Sequence, residues 1–206
     1  MNALAPRHPA PSHGGDASRV QKVSASLERS AVVLEEPFAR VRGVLVGHGV
    51  LEWMKSGGNL YSSMGSENHA RSWVEACPTR AAATAIHAEA VRLDEARTDL
   101  DATRLLIGLM LDAFPTAGRD TRDGYFATLV HEIATDGHSP TVVAVACRRL
   151  RRTLRFPPTV SEMLDECSRV RAELTRSIEI TAAVVARATD AERLLANSIS
   201  NERTAP

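Results

Sequence analysis

The sequence predicts a mainly α protein: a small helical bundle with one long helix, led by a disordered N-terminal tail and closed by a marginal C-terminal helix. Three observations carry that expectation. Hydrophobic residues fill 44% of the 206 positions but aromatics only 4%, so a core has to be assembled from Ala, Val, Leu and Ile. Beyond Pro78 the apolar residues recur at helical spacing, with Ile86, Leu93, Leu100 and Ile107 each seven apart. Two helix-start signatures follow, Ser139 before Pro140 and the Thr159-x-x-Glu162 capping box.

From the N-terminus, residues 1–19 are dominated by Pro, Gly, Ala, Ser and His and bury too little apolar area to offset chain entropy. They are expected to be a disordered tail. Residues 20–78 read as a poorly defined, loop-rich segment: Pro37 interrupts a helix-compatible stretch, and VRGVLVGHGVL over Val41 to Leu51 is β-prone but broken by Gly43, Gly47 and Gly49. Ser56 to Ser66 is a loop by composition, and the two tryptophans that flank it, Trp53 and Trp73, suit either a small satellite cluster or a partner-binding patch.

Residues 79–165 make the helical domain. The Ala-rich run Thr79 to Ala113 contains no proline and predicts one long helix, interrupted near Gly108 and ended by Phe114 and Pro115. A short helix then carries Tyr125, Leu129 and Ile133 on one face before Asp136 and Gly137 close it. The helix opened by Ser139 and Pro140 runs to about Leu154, with Val143, Ala146, Cys147, Leu150 and Leu154 as its buried stripe. Phe156-Pro157-Pro158 stops it, because two prolines remove donors and push the preceding residue out of α space. Phe114, Tyr125, Leu129, Val143, Leu150 and Phe156 are the expected core.

Residues 166–206 form the C-terminal helix and a disordered end. From Met163 to Leu195 the positions Met163, Cys167, Val170, Leu174, Ser177, Thr181, Val184, Ala188, Ala191 and Leu195 alternate four and three apart, the spacing of a heptad seam. Ser177, Thr181 and the alanines weaken it, so a helix that frays alone or pairs with a copy of itself is expected, leaving a homo-oligomer open.

Function classes narrow by exclusion. Twenty-five basic residues balance twenty-five acidic ones, which removes any whole-molecule attraction to nucleic acid or anionic lipid. Cys77, Cys147 and Cys167 lack metal-ligand spacing and read as reduced cytosolic thiols. Neither a membrane-spanning run nor a signal-peptide pattern is visible, so a cytoplasmic location is expected and no membrane partner. His131 and His138 fit no ligand pattern, Gly43-x-x-x-Gly47-x-Gly49 has neither strand nor helix around it, and no nucleophile or phosphate-loop signature occurs. No catalytic residue, metal or cofactor is therefore expected, and the protein is read as a non-enzyme.

One local feature stands apart: Arg148, Arg149, Arg151, Arg152 and Arg155 lie within eight residues without an acid among them. Arg148, Arg151, Arg152 and Arg155 fall on the open side of their helix. They suit phosphate neutralisation, an acidic protein surface, or simple solvation of a helix end where positive charge is favourable.

The order Met110-Leu111-x-x-Phe114-Pro115, a short helix led by Tyr125, an Ala- and Arg-bearing helix, and Arg155-Phe156-Pro157-Pro158-Thr159-x-x-Glu162-Met163-Leu164 resembles the helical domain of bacteriophage replicative-helicase loaders and inhibitors. The similarity covers about residues 105–174, and the residues ahead of it have no counterpart. It implies a non-enzymatic adaptor in phage or prophage DNA replication that binds, loads or restrains a replicative helicase and hands it to an initiator protein. In that picture a C-terminal grip uses Val170, Leu174 and Ile178, while the arginine strip meets protein or nucleic acid. The alternatives are a helical nucleic-acid-binding module built on Arg148 to Arg155 and a self-assembling helical structural protein.

Overall fold

A computed structural model of the chain describes residues 38–41, 43, 49–114 and 119–204, the side chains of 119–122 and 202–204 excepted. The expected tail over residues 1–19, the Pro37 interruption, Gly47 and Pro115 lie outside the described residues. Among those described there is no strand. Seven helices follow one another: α1 Val50–Lys55, α2 Glu67–Ala76, α3 Arg80–Glu95, α4 Leu100–Asp112, α5 Arg119–Thr135, α6 Pro140–Thr153 and α7 Val160–Thr204. A helical stretch at residues 38–41 precedes them, so Val41, Val50 and Leu51, read as β-prone, are helical.

Helix α7 is the spine. Its 45 residues extend for about 68 Å at 1.5 Å per residue, and α2, α3, α5 and α6 all pack on it. This corrects the expected disordered end, since the helix continues to Thr204. The heptad spacing places the seam correctly: Met163, Cys167, Val170, Leu174, Thr181, Val184, Ala188 and Ala191 are all buried. The seam is filled by the chain's own helices, and that tertiary packing, more than intrinsic propensity, stabilises a helix of such composition.

Two apolar cores form along the spine. The first gathers Ala90 and Leu93 of α3, Leu106 to Leu111 of α4, Leu129 and Ile133 of α5, the buried half of α6, and Met163 to Leu174 of α7, with Phe38 and Val41 at its edge. The second gathers Val50 and Trp53 of α1, Leu60 and Met64 from the following loop, Ala70 and Trp73 of α2, Ala83 of α3, and Val184, Ala188 and Ala191 of α7. Helices α3 and α7 cross both. Where they pass from one core to the other, His87 Nδ1 and Thr181 Oγ1 hydrogen-bond at 3.0 Å, which satisfies the seam's buried hydroxyl.

The run Thr79 to Ala113 is two helices, not one. The break falls at residues 96–99 and not near Gly108, because the Asp99 carboxylate accepts from the N–H groups of Asp101 and Ala102 at 3.0 Å and starts α4 afresh. Gly108 is an ordinary helical position. In the loop-rich segment, Trp53 and Trp73 meet edge to face with ring centroids 4.8 Å apart, both buried, so packing is their role. Two glycines fit them there. Gly58 lies against the Trp53 indole, where a Cβ would come within 2.4 Å of ring carbons, and Gly49 starts α1 at φ 69° with a Cβ position 2.2 Å from the Ala76 carbonyl oxygen.

Candidate interaction surface

Helix α6 begins inside the molecule and ends outside it. Thr141 to Cys147 are seven consecutive buried residues, so its first half is enclosed on all sides and the expected single stripe holds only for the second. The arginines start where the helix emerges. Arg148 and Arg151 are half-buried, whereas Arg152 and Arg155 are exposed.

Arg149 turns inward. Its guanidinium donates to both Glu173 oxygens at 2.8 Å and to Glu166 Oε1 at 3.2 Å, and these bonds, Glu173 first, hold its pKa above the usual arginine value. Glu166 is itself buried and also receives Arg169. The fork geometry is the reason an arginine rather than a lysine suits this position. Sequence reading missed the network because its acids sit 17 and 24 residues away, on another helix.

At the diproline corner the capping box forms as its spacing predicts. Thr159 N–H donates to Glu162 Oε2 at 2.6 Å and Glu162 N–H to Thr159 Oγ1 at 3.2 Å, and the backbone bond from Thr159 is the first cause of a lowered Glu162 pKa. Phe156 departs from expectation. Its ring is 61% exposed, while Pro158 is buried and Leu154, half-buried, packs against the first core. The Arg155 guanidinium stands 5.9 Å from the Phe156 ring centroid.

The other residues assigned to interaction are used by the fold. Val170 and Leu174 are fully buried in the first core and Ile178 packs against it, since the seam that suggested a free grip is already occupied. Of the expected core residues, Phe114, Leu129, Val143 and Leu150 are buried and Tyr125 is half-buried against them. None of the three cysteines is in a disulfide, and burial pushes Cys77 up to about 11 and Cys167 up to about 12.

His131 is exposed and His138 buried, and among the described residues no three His, Cys, Asp or Glu side chains converge as metal ligands would. No helix among them is long and apolar enough to cross a membrane. Among the described residues, the corner after α6 brings an exposed aromatic ring and exposed guanidinium groups together, while Tyr61, Leu51, Met54 and Val74 are further exposed apolar or aromatic side chains. Compared with known proteins, the chain matches no family model, no curated sequence and no solved structure.

Proposed function

We propose that the chain is a non-enzymatic adaptor of phage or prophage DNA replication that docks on a replicative helicase through its diproline corner. The observation that carries the docking site is the exposed Phe156 ring beside Arg155, with Arg152 exposed one turn back. A large aromatic left in water gains free energy when a partner covers it, and aromatic and arginine side chains dominate the energetics of protein interfaces. The choice of partner rests on the resemblance of the Phe-Pro-Pro-Thr-x-x-Glu corner and the helices around it to helicase loaders. A grip by Val170, Leu174 and Ile178 is set aside because the fold holds those side chains.

The test is co-purification with a replicative helicase. Phe156→Ala and the pair Arg152→Gln with Arg155→Gln should each weaken capture at least roughly tenfold while leaving the melting temperature unchanged, and undiminished capture by both excludes this corner as the docking site. The same composition favours a second reading. Exposed arginines around an aromatic also suit single-stranded nucleic acid, with a base stacked on Phe156 and phosphates on Arg152 and Arg155. Binding of that kind falls steeply with salt, whereas helicase capture through an aromatic anchor does so weakly.

A further inference from the structure

The helical stretch at residues 38–41 is anchored to the fold at two levels. Phe38 and Val41 are 3% and 2% exposed at the edge of the first core, and the Arg40 guanidinium pairs with Glu89 of α3 at 2.9 Å. The chain ahead of Phe38 is therefore tied to a fixed point. Between this stretch and α6 runs a groove of about 490 Å³, with Phe38 and Ala39 on one wall and Val145, Arg148, Arg149 and Arg152 on the other.

The charge of this groove is one-sided. Three guanidinium groups line it and, among the described residues, no carboxylate does. Arg149 is held by Glu173 and Glu166 of α7, so its charge is compensated from the far side. Arg148 and Arg152, one helical turn apart, bring the other two charges to the same groove.

The sequence carries the complement next to the groove wall. Leu34-Glu35-Glu36-Pro37 runs directly into Phe38, so two adjacent acids stand two and three residues ahead of a lining side chain. Both lie outside the described residues. At no more than about 3.6 Å per residue, chain connectivity confines Glu36 and Glu35 within about 7 and 11 Å of the Phe38 Cα. A tether this short gives an effective concentration on the order of millimolar or above, which populates surface ion pairs that separate molecules form only weakly.

We propose that Glu35 and Glu36 of this same chain occupy the groove, with their carboxylates on the Arg148 and Arg152 guanidinium groups. The segment is then a built-in cover for the middle of the arginine strip, and any acidic surface or phosphate that uses Arg152 has to displace it. The contact is independent of docking at Phe156, since neither Arg155 nor Phe156 lines the groove.

The test makes one arginine at a time cross-linkable in the full chain, by Arg148→Lys or Arg152→Lys, against a background whose lysines are Lys22 and Lys55. A zero-length carbodiimide link from position 148 or 152 to Glu35 or Glu36, mapped by mass spectrometry within the monomer, is expected. It should vanish when Glu35→Gln and Glu36→Gln are added. With both arginines kept, the same two glutamine substitutions should raise phenylglyoxal labelling of Arg148 and Arg152 roughly threefold, the size of effect that a surface ion pair supplies, and leave Arg171 unchanged. Links that reach only Glu162, Asp165 or Glu166, which border Arg152 at the diproline corner, overturn the proposal. So do links confined to a dimer, which assign the groove to a second copy, and labelling rates that the glutamine substitutions leave unaltered.

Discussion

Two neighbouring side chains on the α6 exit, Arg149 and Phe156, have exchanged the roles that their chemistry suggests. The charged one is built into the protein and the aromatic one faces water. Breaking the Arg149 bonds leaves Glu166 buried with only the exposed Arg169 to compensate it, so Arg149→Ala should destabilise the fold by about 2–3 kcal/mol. Phe156→Ala removes a ring that is 61% exposed and should change stability by no more than about 0.5 kcal/mol. Urea titration of both variants checks the contrast, and a larger loss for Phe156→Ala than for Arg149→Ala contradicts the assignment. Neither role is written in local sequence: helical periodicity places Arg149 at the margin of the buried stripe, and only the arrival of Glu166 and Glu173 from α7 decides which way it turns.

Among the elements, α7 departs furthest from its intrinsic tendencies. An isolated helix with Ser177, Thr181 and repeated alanines on its apolar seam is weak, yet here most seam positions, Thr181 included, are buried where other helices pack on it. Because, among the described helices, α3 and α7 are the two that span both cores, a break in the middle of α7 should separate them. Ala182 is exposed, so Ala182→Pro disturbs little but the backbone, at a cost of about 3 kcal/mol or more. Hydrogen exchange should then show amides of residues 184–195 losing protection while residues 163–174 keep theirs, and equal loss along the helix would falsify two separable cores. The elements with a local cause were legible in the sequence: the Thr159 capping box, the diproline stop, the Pro140 start and the heptad spacing of α7. The division of Thr79 to Ala113 was legible too, in Asp99 ahead of an apolar run, but the seven-residue recurrence of Ile86, Leu93, Leu100 and Ile107 continues through the break and conceals it. The tryptophan cluster was legible as one of two readings, but not the core it joins, because α1 and α2 acquire that core from α7 more than a hundred residues later.

For the molecule as a whole, the filled seam removes the reason for self-assembly through α7, and the chain is expected to sediment as a monomer, with a concentration-dependent dimer as the contrary result. Deleting everything after Arg169 would remove Val170, Leu174 and the whole α7 share of the second core, so such a truncation should lose cooperative unfolding along with any partner. Partner mapping is better done with surface substitutions. The unbroken helix from Val160 to Thr204 also fixes a distance. Probes at Ser161 and Ile199, both exposed, should sit about 57 Å apart with a narrow spread, because the intervening residues each advance 1.5 Å along one axis. A partner docked at the proline bend, as proposed, would be held by a stiff strut at a set reach from anything attached to the far tip, and the helix would serve as a gauge between them.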